Sequence, residues 1–187
     1  MTSQIEDIRK HDFVKDEKLF IDTNIWIYIY YGMYPFDNKY FRNFYTNAFE
    51  KMRASGSKIF LDAFILSEFI NAFGHLEYER NVPPIKREKN KNNYKIFRES
   101  SKGRDTAREI VINVNKILSD AKFCDLNYNF LNLPNQLIEY KETNSDFNDI
   151  TYAKLCEKHG FMLVTHDGDF KDCGIRVLTA NNKLLGI

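Results

Sequence analysis

The chain has 187 residues, of which 43% are hydrophobic and 15% aromatic, enough to build one globular domain with a substantial core. Its 27 basic and 26 acidic residues give a net charge of +1, so any surface that binds a polyanion must be local. No stretch approaches the ~20 apolar residues that span a bilayer, and the N-terminus lacks an apolar signal, so we expect no membrane segment. The three cysteines form no Cys-x-x-Cys pair, so we expect neither disulfides nor structural zinc. The expected protein is one cytoplasmic domain over residues 1–187.

The first strong signal follows a polar N-terminal extension, residues 1–17, for which we expect a short helix or an arm. The apolar run 19–21 predicts a buried strand, and Asp22-Thr23-Asn24 supplies turn and N-cap residues for a helix. Ligands of open α/β sheets bind just outside the carboxyl ends of the strands. Asp22 therefore either holds a ligand or caps the next helix, with Thr23 and Asn24 able to take over the capping.

A run that is apolar all round predicts a short buried helix over 25–31, and apolar residues at helical spacing predict an amphipathic helix over 38–54. A second strand is predicted at Lys58–Leu61. Asp62 then begins a further helix with Glu68 in its second turn. Because an unpartnered buried glutamate is costly, Glu68 should border the buried face or turn toward a polar cleft.

Residues 80–104 form a basic insertion with nine basic and two acidic residues, interleaved with Tyr94 and Phe97. Such side chains can neutralise phosphates and stack on bases. The alternative is a solvated charged segment, which charge runs more often are. The candidate RNA contacts are Lys86, Arg87, Lys89 and Lys91.

The next segment predicts a helix over 105–119 whose inward stripe includes Val111 and Leu118. A short strand is expected at 122–126. A helix start is predicted at Asn132-Leu-Pro134, with Leu137 and Ile138 facing inward.

The closing block, residues 144–160, predicts a helix with Asn144 or Ser145 as its cap. Asp146 and Asp149 share a face of its first turns, where the helix N-terminus lowers the cost of negative charge. A buried strand over 161–165 then ends in His166-Asp167-Gly168-Asp169. The last strand is predicted at 175–178, followed by a tail over 183–187.

Alternating strands and helices predict a mostly parallel sheet of about four to five short strands with flanking helices. Asp22 and Asp167 would end two strands at one sheet edge, with Glu68 and Asp149 above it. Carboxylates gathered in this way need a cation, and oxygen-only ligands favour Mg²⁺ or Mn²⁺. Since such ions can activate water for attack on a phosphodiester, the predicted reaction is hydrolysis of a nucleic acid backbone.

Four fragments occur in the order found in the PIN domain family. They are residues 20–25, Leu66-Ser-Glu-Phe69, residues 149–153 and residues 163–170. Over roughly residues 18–180 the chain resembles a VapC-type PIN ribonuclease. The resemblance implies a PIN-like three-layer α/β/α sandwich, RNA as substrate, and a metal-dependent endoribonuclease. Many members of this type are toxins that pair with an antitoxin and form a homodimer. The N-terminal extension and the basic insertion make this chain longer than those compact members, so the toxin role and the two partners are an expectation separate from the nuclease chemistry.

The resemblance also implies the roles of individual residues. Asp22, Glu68, Asp149 and Asp167 would form the catalytic quartet that binds Mg²⁺ or Mn²⁺, and Asp169 would be an accessory metal ligand. Asn24 and Thr165 would orient ligands or phosphate by hydrogen bonds. Asp146 would either assist the third acid or, as we favour, cap its helix.

Other function classes find less support in the sequence. A haloacid-dehalogenase-like phosphatase needs a second acid where Asn24 stands, and no glycine-rich phosphate loop occurs. The four histidines are scattered, with no arrangement for serine or cysteine nucleophiles. The serious rival is a PIN-fold protein that binds RNA or a protein partner without cutting.

Overall fold

An all-parallel sheet of six strands organises the protein in a computed structural model that describes residues 2–31, 39–88, 93–124, 132–143 and 145–187. Flanking helices complete a three-layer α/β/α arrangement, which confirms the predicted fold class. The spatial order of the strands is β1-β6-β5-β2-β3-β4. They comprise β1 Gln4–Asp7, β2 Lys18–Ile21, β3 Lys58–Leu61, β4 Lys122–Phe123, β5 Met162–Val164 and β6 Arg176–Thr179.

The helices follow the predicted alternation, with boundaries shifted by a few residues. In chain order they are α1 Thr23–Tyr30, α2 Lys39–Ser55, α3 Ala63–Asn81, α4 Pro84–Glu88, α5 Asn93–Glu99, α6 Ser101–Asp120, α7 Leu133–Glu142, α8 Phe147–His159 and α9 Asn182–Leu185, with a 3₁₀ turn at Gly168–Asp172. No helix within the described ranges is both long enough and apolar enough to cross a membrane.

The two central strands, β2 and β5, lie side by side and are almost wholly buried. A strand covered on both faces needs a continuous apolar run, which explains the uninterrupted 19–21 and 162–164 segments. Ile21 pairs with Val164, and the Asp22 amide donates to the Val164 carbonyl at 3.0 Å. This register sets the first polar residues after the two runs, Asp22 and Thr165, next to each other.

The prediction of a helix or an arm for residues 1–17 was wrong, because this segment contains β1, which pairs with β6 at the sheet edge. Gln4, Glu6 and Asp7 leave this strand only partly buried, so it lacks the apolar run that marked the others. The tail expected over 183–187 is also incorrect, since α9 forms there and buries Leu184.

The predicted inward face of α7 was wrong, and that of α6 was wrong at Val111 and Leu118, although Ile110 of the same predicted stripe is buried. Leu137 and Ile138 of α7 are 57% and 53% exposed, whereas Gln136 is fully buried. In α6, Val111 is 58% and Leu118 40% exposed. The buried stripe of α6 instead includes polar or small residues, which a search for apolar periodicity overlooks. Its members are Gly103, Thr106, Ile110, Asn113 and Ile117.

The basic insertion is helical where it is described, and α5 packs against α3 and α6. Within it, Lys86 is exposed and Phe97 is buried. The candidate contacts Lys89 and Lys91 lie outside the described residues. Residues 125–126 of the predicted strand 122–126 also lie outside them, whereas Lys122–Phe123 of that strand forms β4. The candidate cap Asn144 is outside the described residues as well.

Candidate active site

A cleft of about 620 Å³ opens beyond the carboxyl ends of β2 and β5. Each predicted catalytic acid reaches it from a different element: Asp22 follows β2, Glu68 lies on α3, Asp149 on the first turn of α8, and Asp167 follows β5. The accessory acids Asp146 and Asp169 line the same cleft. All six acids named from the sequence therefore meet at one edge of the sheet.

Asp22 is the most deeply placed of these acids, with 6% exposure. The pKa of its carboxyl group is raised to about 6, mainly by burial and to a smaller extent by the nearby Glu68 and Asp167 carboxylates, while a hydrogen bond from Thr165 opposes the shift. Asp22 occupies the N-cap position of α1 without a side-chain capping hydrogen bond. Its carboxylate is thus available to the cleft.

Asn24 and Thr165 tie the ends of β2 and β5 together around Asp22. The Thr165 hydroxyl donates to Asp22 Oδ2 at 2.6 Å, and the Asn24 amide donates to the same oxygen. Asn24 Oδ1 accepts from the His166 amide at 3.1 Å, and Thr165 Oγ1 accepts from the Asp167 amide at 3.0 Å. Both side chains therefore orient the acids directly. The prediction that Asn24 serves as a helix cap was wrong.

Glu68 is held by two residues that the sequence reading did not assign to the site. The Thr23 hydroxyl donates to Glu68 Oε2 at 2.8 Å, so Thr23 links α1 to α3 instead of capping α1 as predicted. The Asn148 side-chain amide donates to Glu68 Oε1 across 80 residues of sequence. In the sequence, the one sign of their roles is that each stands next to an acid of the predicted quartet.

Asp149 and Asp146 begin α8 with distinct roles. The pKa of Asp149 is raised to about 7, mainly by burial and then by the charges of Asp167 and Asp22. Asp146 is the N-cap, where its carboxylate accepts from the Asn148 amide at 2.9 Å. The favoured capping role of Asp146 is confirmed, and the prediction that Ser145 caps the helix was wrong.

Asp167 and Asp169 stand on the short turn after β5. Asp167 caps the 3₁₀ turn and accepts from the Asp169 amide at 3.0 Å. The preceding His166 is fixed by Tyr45, whose hydroxyl lies 2.8 Å from His166 Nδ1. The residue before Asp167 is therefore held in place by Tyr45, a buried residue of α2.

The cleft suits a hard divalent cation in donor chemistry, because its carboxylates and amide and hydroxyl oxygens are the ligands of Mg²⁺ and Mn²⁺. Burial, and after it the repulsion between neighbouring carboxylates, raises the pKa of Asp22 and Asp149, and a cation would relieve the repulsion. Within the described part of the chain, no three His, Cys, Asp or Glu side chains are grouped closely enough to hold a metal ion as they stand.

The cleft extends beyond the predicted acids along one face of α3. Ala72, His75, Leu76 and Glu79 line this extension, at helical spacing from Glu68. Continuing the face of Glu68 along the helix would have found them in the sequence. At its far end Arg87 Nη1 lies 3.7 Å from Glu79 Oε1, so this candidate RNA contact is paired with an acid of the cleft.

Among known protein families, the one described as PIN domain matches residues 19–175, which include all six acids that the sequence predicted for the cleft. Searches of curated proteins and of solved structures each found no match.

Proposed function

The chain belongs to the PIN domain family, a nuclease fold in general, and we propose that it is a Mg²⁺- or Mn²⁺-dependent endoribonuclease. The observation that carries the proposal is the meeting of Asp22, Glu68, Asp149 and Asp167 in one cleft at the carboxyl edge of the sheet. Burial and mutual repulsion there raise the pKa of two of these acids. A site that holds unfavourable negative charge in this way is suited to a cation.

In the proposed reaction the four acids hold the ion, with Asp169 as a peripheral ligand. When bound, Mg²⁺ or Mn²⁺ supplies positive charge that lowers the pKa of a water molecule and offsets charge on the phosphate. Thr165 and Asn24 keep Asp22 directed at the cleft. Thr23 and Asn148 do the same for Glu68, so the chain itself contributes the orientation of the acids.

The finer part of the proposal concerns substrate and partners. RNA would approach along the basic insertion and contact Lys86, Arg87, Lys89 and Lys91. The VapC-like character of the four sequence fragments extends the proposal to a cytoplasmic toxin with an antitoxin partner and a homodimeric state. Co-purification with the product of a neighbouring small reading frame, and the mass of the purified protein in solution, test these two partners.

A second candidate function is a PIN-fold module that binds RNA or a protein without cutting. It is favoured by one observation, that the described acids do not form a three-ligand group as they stand. Retention of all four acids in the cleft favours the nuclease instead.

Cleavage of a labelled RNA in the presence of Mg²⁺, Mn²⁺ or EDTA distinguishes the two functions. We expect cleavage with either ion, none in EDTA, and none by Asp22→Asn or Asp149→Asn proteins whose circular dichroism matches the parent. Cleavage that persists in EDTA or in both variants would contradict the metal-dependent mechanism. RNA binding without cleavage by the parent protein in Mg²⁺ and in Mn²⁺ would support the binding module.

A further inference from the structure

The extension of the cleft along α3 differs in chemistry from its acidic end. From Glu68 the lining passes through Ala72 and Leu76, which are half-buried, to His75, which is exposed. His75 lies seven residues after Glu68 on the same helix face, or roughly 10 Å along the axis. A polymer bound at the acids would therefore place a neighbouring unit beside His75.

His75 is one half of a stacked ring pair. Its imidazole lies parallel to the ring of Tyr94, with the centroids 4.0 Å apart and the planes inclined by 16°. One face of His75 is thereby covered, while the residue remains exposed and lines the cleft. This pairing joins α3 to α5 of the basic insertion, and it gives that segment a direct contact with the site.

Tyr94 is held firmly enough to support a stack. Tyr78 packs edge-on against it, with the centroids 5.4 Å apart, and the Arg98 guanidinium lies over the ring at 5.9 Å. The close approach to α3 depends on Gly74, where an added Cβ would lie 2.5 Å from the Tyr94 hydroxyl oxygen. The pair is thus a fixed aromatic surface with the positive charge of Arg98 next to it.

We propose that His75, stacked on Tyr94, is a base-stacking subsite for one nucleotide of single-stranded nucleic acid whose neighbouring phosphate lies at the acids. The proposal rests on the proposed function for the identity of that phosphate. Base stacking on aromatic rings tolerates any sequence, and the Arg98 guanidinium over Tyr94 supplies positive charge close to the stack. Because a paired base is already stacked on its neighbours, the subsite selects unpaired strands.

The test measures binding in Mg²⁺ to proteins that also carry Asp149→Asn, because no cleavage is expected in that background and the other three acids remain to hold an ion beside the phosphate. Fluorescence anisotropy compares a labelled adenine RNA of about 12 nucleotides with an abasic strand of the same length. We expect His75→Ala to weaken binding of the adenine RNA by about fivefold or more and to leave the abasic strand unchanged. His75→Phe, which retains a stacking ring, should restore binding, and Gly74→Ala, which displaces Tyr94, should weaken it.

The matched control is Tyr140→Ala, which removes an exposed aromatic ring on α7 outside the cleft and should leave both affinities unchanged. A DNA strand of the same sequence is the second arm. An equal His75→Ala effect on RNA and DNA supports base stacking, whereas an effect on RNA alone replaces it with a contact to the 2′-hydroxyl.

The outcomes separate this subsite from the nuclease. Cleavage by the parent protein with no His75→Ala effect on binding would overturn the subsite and leave the nuclease intact. Base-dependent binding that requires His75, without any cleavage in Mg²⁺ or Mn²⁺, would support the subsite and overturn the nuclease. Absence of RNA binding, or an equal loss for adenine and abasic strands, would also overturn the subsite.

Discussion

Two aspartates follow neighbouring strands, and both are buried, but only one faces the cleft. Asp22 follows β2 and lines the cleft, whereas Asp62 follows β3 and accepts the capping hydrogen bond of the Ile65 amide at 2.8 Å. Burial raises the pKa of each to about 6. When ionised, each aspartate lowers the free energy of unfolding. Asp22 also faces the cleft, whereas Asp62 serves as the cap of α3.

Asp62→Asn should therefore increase the free energy of unfolding at pH 8, by on the order of 2 kcal/mol. Since the folded pKa of Asp62 is raised, its destabilising effect is complete above pH 6 and vanishes below the ordinary value of 3.8. The gain of the variant over the parent should thus shrink as the pH is lowered from 8 toward 4. Urea unfolding at several pH values measures it.

Asn at position 62 retains an oxygen that can cap α3, so Asp62→Ala provides the control. Loss of the cap should cost this variant about 1 kcal/mol relative to Asp62→Asn at every pH. A difference between Asp62→Asn and the parent that does not change with pH would contradict the assigned pKa.

Local residue patterns also explain which parts of the site could be predicted. The acids were found because each follows a strand or lies in the first turns of a helix, which are positions that the sequence displays. Their partners Thr23 and Asn148 were not found, because hydrogen bonds to Glu68 across 45 and 80 residues depend on how α1, α3 and α8 pack.

At the scale of elements, burial patterns located the inner strands correctly but misplaced residues on the buried faces of α6 and α7. The central strands are covered on both faces, so their apolar runs are unambiguous. In α6 and α7 the buried faces contain Asn113 and Gln136, and the Gln136 side chain accepts from the Thr151 hydroxyl at 3.3 Å. A polar residue that finds a partner can be buried, and apolar periodicity alone cannot locate it.

The basic insertion carries a prediction that concerns the element as a whole. Replacing Lys86, Arg87, Lys89 and Lys91 with Gln should weaken RNA binding and flatten its dependence on salt. Each phosphate contact on a single strand contributes about 0.7 to the slope of log affinity against log salt concentration. Because Arg87 is paired with Glu79, we expect the three lysines to account for most of the change. Anisotropy titrations over a range of salt concentrations measure the slope.

The matched control removes the same number of positive charges from exposed positions outside the insertion. These are Lys51, Lys122, Lys141 and Lys183. An equal change of slope in the two variants would assign the effect to net charge rather than to the insertion. An unchanged slope in the first variant would assign the segment to solvent or to a protein partner.

At the scale of the whole molecule, the order of the parallel strands brings residues from separate sequence motifs together at one edge of the sheet. The family match begins at residue 19, within β2, and ends at residue 175, so β1 lies outside it. The β1 strand nevertheless extends the same sheet through β6, and we propose that residues 1–187 form one domain. Strand β1 escaped sequence analysis because an edge strand needs little apolar character, whereas the alternation of the inner elements sufficed for the fold.

Thermal unfolding with and without Mg²⁺ tests the central claim, that Asp22 holds a metal ion in this cleft. The parent protein and Asp62→Asn should both be stabilised, by about 3 kcal/mol when Mg²⁺ is a hundredfold above its dissociation constant. Without Mg²⁺, Asp22→Asn should be more stable than the parent at pH 8, because its buried charge is gone, and added Mg²⁺ should no longer stabilise it. An Mg²⁺ shift in Asp22→Asn equal to that of the parent would contradict the account.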